Sequence, residues 1–137
     1  MRQKIDSLYN DRRDHMNTEQ LLHNFFTIEG TYSIDHEVVS VDGNISLNVR
    51  CERLPVKFGD VSGDFSCNSN SLTSLNGCPK RVGNRFNCFI NPITSLIGGP
   101  SSVGEDFNCF GCNLYSLEGC AENIGGDFYC TYNPLKN

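Results

Sequence analysis

The chain lacks most of the features that would assign it a chemistry at once. No apolar run approaches the roughly 20 residues a membrane-spanning helix needs. Residues 1–16, MRQKIDSLYNDRRDHM, hold no apolar segment of the kind an export signal carries. Both absences lead to the expectation of a cytoplasmic protein. Basic charge is scarce as well. The formal net charge is −5, and residues 61–137 hold four basic and six acidic side chains with no basic stripe. A nucleic-acid partner is therefore not expected, because phosphate binding needs concentrated positive charge. The three histidines, His15, His23 and His36, all precede residue 61, and none stands in a recognisable pair with a nucleophile or carboxylate. Gly104 and Gly125–Gly126 recur with a period and belong to turns, not to a phosphate-cradling loop.

What remains is one domain's worth of chain, 137 residues with 38% hydrophobic and 20% charged, which fits a folded globular protein. Eight cysteines in such a length suggest disulfides or zinc. Without an export signal the redox compartment disfavours disulfides. Cys109 and Cys112 form a Cys-x2-Cys pair, but a zinc site needs a second pair or histidines beside it. No metal and no cofactor is expected. Cys78 and Cys120 share a position in the pattern described next, and only Cys51 lies outside it. A buried free cysteine behaves as a small hydrophobe.

The positive signal is periodic. Val61, Val82, Val103 and Ile124 are 21 residues apart, and so are Phe65, Phe86, Phe107 and Phe128. Cys67, Cys88, Cys109 and Cys130 keep the same step, followed by Asn70, Asn91, Cys112 and Asn133. Leu72, Ile93, Leu114 and Leu135 form a further column, and Leu75, Leu96 and Leu117 another. Phe and Cys alternate with polar residues, as in a strand with one buried face. One such unit cannot bury its own apolar side, so the units must stack into a solenoid with a continuous core. The Gly-Cys-Pro segment at Gly77–Pro79 and its counterparts, Gly98–Pro100 and Gly119–Ala121, predict a return path of turns without a helix.

This unit, apolar-x3-Phe-x-Cys-x2-Asn-x-Leu-x2-Leu, resembles the leucine-rich repeat. The phrases LPVKFGDVSGDFSCNSNSLTSLNGCPKRVG and VGEDFNCFGCNLYSLEGC are similar to short 21-residue repeat proteins common in bacteriophage and bacterial genomes. The resemblance covers roughly residues 17–137. It implies a parallel strand ladder, an asparagine ladder at Asn70, Asn91 and Asn133 with Cys112 tolerated in that column, and a phage or bacterial origin. It implies no particular activity.

The expected organisation is a charged extension over 1–16, a small α+β cap over 17–60, and four 21-residue repeats over 61–137, the last truncated. Asn17 and Gln20 predict a capping box for a helix over 17–26, with Leu21, Leu22, Phe25 and Phe26 as its apolar face and Gly30 as its stop. Asp42-Gly43 predicts a hairpin turn, and His36 falls in a polar strand. Ile45, Leu47 and Leu54 read as a degenerate first rung. The strand around Phe128 to Thr131 is expected to present an unpaired edge through which two copies could meet.

Residues flanking the buried Phe and Cys face outward. On the first repeat they are polar: Asp64, Ser66, Asn68 and Ser69. On the later ones they are Arg85, Asn87, Phe89 and Ile90; Asp106, Asn108, Phe110 and Gly111; Asp127, Tyr129, Thr131 and Tyr132. Exposed aromatic and aliphatic residues rimmed by charge mark interaction sites, although Phe89 and Phe110 could instead fold over the turn onto the core. The Asp64, Arg85, Asp106, Asp127 column reads as a solvated face or an acidic stripe. A non-enzymatic protein-binding module is the leading expectation. If the gene is a phage's, it could be an inhibitor of a host defence protein. A catalytic domain such as leucine-rich-repeat ubiquitin ligases carry has no room in this length. A nucleotide-sized ligand anchored by Arg81 and Arg85, or plain self-association, is the alternative.

Overall fold

The computed structural model describes residues 15–136, so most of the charged extension lies outside it. The first element is a short helix, α1 (Thr18–Phe25). Asn17 Oδ1 accepts from the Gln20 N–H at 2.8 Å, and Gln20 Oε1 accepts from the Asn17 N–H at 2.9 Å, closing the expected capping box. Leu21, Leu22 and Phe25 bury one face. The helix ends at Phe25, not at Gly30. Phe26 is already extended and opens strand β1 (Phe26–Asp35), because its side chain enters the core opposite Leu47.

β1 pairs antiparallel with β2 (Val38–Leu47) along its whole length. The turn between them is His36–Glu37, both in the left-handed region at φ +49° and +64°, as a two-residue hairpin loop of type I′ requires. Asp42-Gly43 is therefore not the turn, and His36 is not in a strand. Val39, Val41, Ile45 and Leu47 alternate into the core, so breaking β2 at Asp42 would lose half of that face. Gly43 instead lies opposite Gly30, with φ of +138° and +134°. A Cβ on either would collide with the carbonyl of the facing strand, so the two glycines let the backbones close together.

β2 is also the first rung of a parallel β-solenoid. Each later rung is a strand kinked into two short pieces: β3 (Lys57–Val61) and β4 (Phe65–Ser66), β5 (Arg81–Val82) and β6 (Phe86–Asn87), β7 (Ser102–Val103) and β8 (Phe107–Asn108), β9 (Asn123–Ile124) and β10 (Phe128–Tyr129). The pieces make two ladders joined through β2, in the order β10-β8-β6-β4-β2-β3-β5-β7-β9. The valine column therefore forms a sheet of its own beside the Phe–Cys one. Both keep a strict parallel register, Val82 beside Val103 and Phe86 beside Phe107.

The core follows the columns. Phe65, Phe86 and Phe107 are fully buried, as are Cys67, Cys88 and Cys109. The rings of Phe26, Phe58, Phe65, Phe86, Phe107 and Phe128 form a spine with successive centroids 4.9 to 5.9 Å apart. Burying each ring stabilises the fold by about 1.5–3 kcal/mol. On the return side, Cys78, Gly99 and Cys120 donate their N–H to Leu75, Leu96 and Leu117. Each of these turns has a positive-φ glycine at its third position, Gly77, Gly98 and Gly119. Cys51, set aside in the sequence, is buried in the same column as Leu72, and its N–H donates to Asn70 Oδ1 as Leu72's does to Asn91 Oδ1.

Candidate functional site

The outward residues fall into two lines, and their separation begins with the asparagine ladder. Asn91 is buried. Its Nδ2 donates to the carbonyls of Cys67 and Cys88 at 2.9 and 3.0 Å, and its Oδ1 accepts from Leu72 N at 3.0 Å. Asn133 repeats the set on Cys109, Cys130 and Leu114. Each amide satisfies backbone groups where the chain leaves the strand, and so forces a corner there. The residue just before the Asn70, Asn91, Cys112, Asn133 column takes up the corner: Ser69, Ile90, Gly111 and Tyr132 stand at φ +54°, +56°, +65° and +57°.

A left-handed conformation costs an L residue roughly 1–2 kcal/mol, and a β-branched one is the rarest there. Ile90 nonetheless occupies it, with 49% of its surface exposed, and Tyr132 occupies it at 80%. Phe110 is half-buried and packs edge-on against Tyr132, centroids 5.1 Å apart. Phe89 is half-buried in the same line. The corner thus joins Phe89, Ile90, Phe110 and Tyr132 along the last three rungs.

The strand face forms the second line, made of Arg85, Asn87, Asp106, Asn108, Asp127 and Tyr129. Arg85 Nε lies 3.4 Å from Glu105 and 4.0 Å from Asp106, all at the surface, where such pairs contribute little. The aspartates also have a backbone role. Asp64 Oδ1 accepts from Arg85 N and Asp106 Oδ1 from Asp127 N, both at 2.9 Å, so this column stitches successive rungs together. Asn87 donates to Ser66 Oγ, and Asn108 Oδ1 accepts from Phe110 N. Tyr129 is 44% exposed, and Asp127 beside it raises its hydroxyl pKa above the usual tyrosine value.

A groove of about 550 Å³ continues the corner toward the cap, lined by Leu47, Asn48, Arg50, Asn68–Ser71 and Ile90. Arg50 Nε donates to Ser71 Oγ at 2.6 Å. Sequence reasoning missed Asn48 and Arg50, because they precede the clean repeats. The periodic position of Ser71, 21 residues before Pro92 and after Arg50, is the signal that could have found Arg50.

No disulfide joins the cysteines among the described residues. Cys109 and Cys112 are both buried, their thiols turned to the carbonyls of Tyr129 and Cys88. Burial pushes the Cys109 thiol up to about 12, and Cys78 and Cys88 well up. The neighbouring Cys88 thiol holds Cys112 down to about 7. Among the described residues no group of three or more metal-ligating side chains comes together. His23 Nε2 meets Tyr32 Oη at 2.8 Å and that hydroxyl donates to Glu19 at 2.7 Å, which ties α1 to β1 at the surface. The exposed His36 lies 2.9 Å from Asp35. No helix among the described residues is long and apolar enough to cross a membrane.

No protein-family model matches this chain, and no curated protein or solved structure is significantly similar to it.

Proposed function

We propose that the chain is a non-enzymatic binding module that holds a protein partner on the corner formed by Phe89, Ile90, Phe110 and Tyr132. One observation carries the reading: a half-exposed isoleucine sits in the left-handed region at φ +56°. Folding alone would favour Gly or Asn at that position, and backbone strain of this kind collects at binding sites. Aromatic residues flank it, and these residue types dominate interface energies. The resemblance to phage repeat proteins extends the reading to an inhibitor of a host defence protein acting in the host cytoplasm. That step rests on the resemblance, since a fold does not prescribe a function.

The test is a double substitution, Ile90→Asp with Tyr132→Asp. Asp tolerates the left-handed region better than most residues, so the variant keeps its fold. A partner captured from host lysate is purified, and its affinity for both forms is measured. Loss of hot-spot contacts worth about 2 kcal/mol or more weakens binding at least ~30-fold. Equal affinity for the two forms moves the site elsewhere.

The groove beside Arg50 supports a second reading, a small anionic ligand such as a nucleotide. A ligand specific for the folded chain raises its melting temperature. A rise with nucleotide that Arg50→Ala abolishes would favour this reading over a protein partner.

A further inference from the structure

The return path carries a chemistry that neither the corner nor the groove beside Arg50 uses. The turn from Leu75 to Cys78 closes with the Cys78 N–H on the Leu75 carbonyl at 3.0 Å, and its third residue, Gly77, stands at φ +92°. Asn76 precedes that glycine and is exposed. The equivalent turns have Ile97 before Gly98 and Glu118 before Gly119, so only the first places a carboxamide there. Asn76-Gly77 is also the one Asn-Gly step in the sequence. A glycine nitrogen is the least hindered of backbone nucleophiles, because no side chain shields it. Its attack on the preceding asparagine Cγ closes a five-membered ring.

Among the described residues no hydrogen bond uses the Gly77 N–H or the Asn76 carboxamide. Asn76 is held through its own backbone N–H, which donates to Ser74 Oγ at 2.9 Å. The turn also has more room than its repeats. A Cβ on Gly77 would come no nearer than 3.2 Å to a neighbour, the Val56 carbonyl oxygen, against 2.7 Å at Gly98 and 2.3 Å at Gly119. That space lets the peptide between Asn76 and Gly77 swing toward the side chain. Asp42-Gly43 shows the opposite arrangement. There the Gly43 N–H donates to Ser62 Oγ at 2.9 Å, and the same hydroxyl donates to Asp42 Oδ1 at 2.8 Å, so nucleophile and carboxyl are both held.

We propose that Asn76 is a site of covalent self-modification, at which the chain converts its own carboxamide to aspartate and isoaspartate and so loosens the turn that ties β3 to the following rung. Hydroxide takes the Gly77 amide proton. The nitrogen bonds to Asn76 Cγ, the bond from Cγ to Nδ2 breaks, and ammonia leaves with a proton from water. Water then opens the cyclic imide at one of its two carbonyls. Addition at Cγ gives aspartate. Addition at the main-chain carbonyl gives isoaspartate, whose backbone runs through the side chain and is one carbon longer. Both products add a negative charge on the return face. The longer backbone falls inside a turn whose Gly77 carbonyl accepts from the Phe58 N–H at 2.8 Å. That bond and the one closing the turn lose their register, and two buried backbone groups lose their partners.

The test incubates the folded full chain in warm, mildly alkaline buffer and follows each asparagine by peptide mass spectrometry, with an isoaspartate assay beside it. Exposed Asn84 and Asn113 are the internal controls, since Arg85 and Leu114 shield the nitrogen that follows them. Amide is lost at residue 76 many times faster than at either control, and faster still as pH is raised. Asn76→Ser, which keeps a turn-favouring residue and has no carboxamide, forms no isoaspartate and keeps the starting melting temperature through the incubation. The modified native chain, separated by its extra charge, melts lower than the fresh chain, and its Phe58 N–H exchanges with solvent faster. Loss at residue 76 no faster than at residues 84 and 113 would overturn the proposal. So would a modified chain that melts with the fresh one, because the turn would then absorb the extra carbon without loosening.

Discussion

The two ends of this solenoid bury the same kinds of residue to different degrees. At the cap, β2 runs unbroken under both ladders, with β1 and α1 beside it, and Val39, Val41 and Ile45 are at most 4% exposed. At the last rung, Ile124, Phe128 and Cys130 occupy columns that are buried on the three preceding rungs, yet they remain partly open. In a stack, burial comes from having a neighbour on both sides, and the residue type only makes burial worthwhile. The same substitution should therefore have different consequences along one column.

The largest such difference lies in the aromatic spine. Phe86→Ala removes a ring held between Phe65 and Phe107 and should cost about 3–5 kcal/mol in chemical unfolding. Phe128→Ala, with a ring neighbour on one side only, should cost less than half of that in the same measurement. Equal losses would mean that the last rung is as well packed as the second.

The asparagine column offers the next contrast. Asn91→Ala strands the carbonyl of Cys67 and the N–H of Leu72 and leaves the Cys88 carbonyl only the weak Cys112 thiol, a loss of about 1–3 kcal/mol. Cys112→Asn should go the other way and raise the melting temperature by restoring the amide that Asn91 and Asn133 supply on their rungs. A melting curve of each variant decides the sign.

The interior thiols predict a pH dependence. Cys78, Cys88 and Cys109 have folded values raised above their ordinary 9.0, so they stabilise the fold below that value. Their contribution is lost as pH rises above it, because the unfolded chain ionises first. Cys112, lowered to about 7, works in the opposite sense between about 7 and its ordinary 9.0. Cys120 is raised in the same sense, so four thiols act against one, and the melting temperature should fall as pH is raised from 9.0 toward about 12, the raised value of Cys109. A flat profile there would show that these thiols meet water.

The smallest effect expected is at the corner. Ile90→Asn should stabilise the fold by about 1 kcal/mol by relieving the left-handed isoleucine, while the proposed partner is held more weakly. Gain of stability with loss of binding separates strain kept for function from strain without one.

Much of this was legible in the chain. Columns repeating at 21 residues could be read because each rung solves the same packing problem in the same way, and the capping box at Asn17 and Gln20 is local chemistry. The first rung was harder because it slips. Ile45 sits beside Phe65, 20 residues on, whereas Cys51 matches Leu72 at 21. Cys51 itself keeps the 21-residue step and is hidden only by its type, a cysteine in a column of Leu and Ile beside a strand that has slipped. Asp42-Gly43 misled for another reason: the turn preference of two residues lost to the alternation of Val39, Val41, Ile45 and Leu47 into the core. The outward line was readable by register. What could not be read was that it bends at the αL corner, because Ile90 and Tyr132 are not residues that advertise positive φ.

Cys112 has a consequence for how the molecule comes apart. Asn91 ties its rung to the one before, and Asn133 does the same one step further on. Between them the column is held by a thiol reaching the Cys88 carbonyl at 3.4 Å, a weak donor at long range. The last two rungs are thus fastened to each other more firmly than to the rest. Thermal opening should release them together as one cooperative unit, and the amides bonded between these two rungs, those of Phe107, Cys109 and Gly111, should exchange with solvent hydrogen at a shared rate, ahead of those behind the seam.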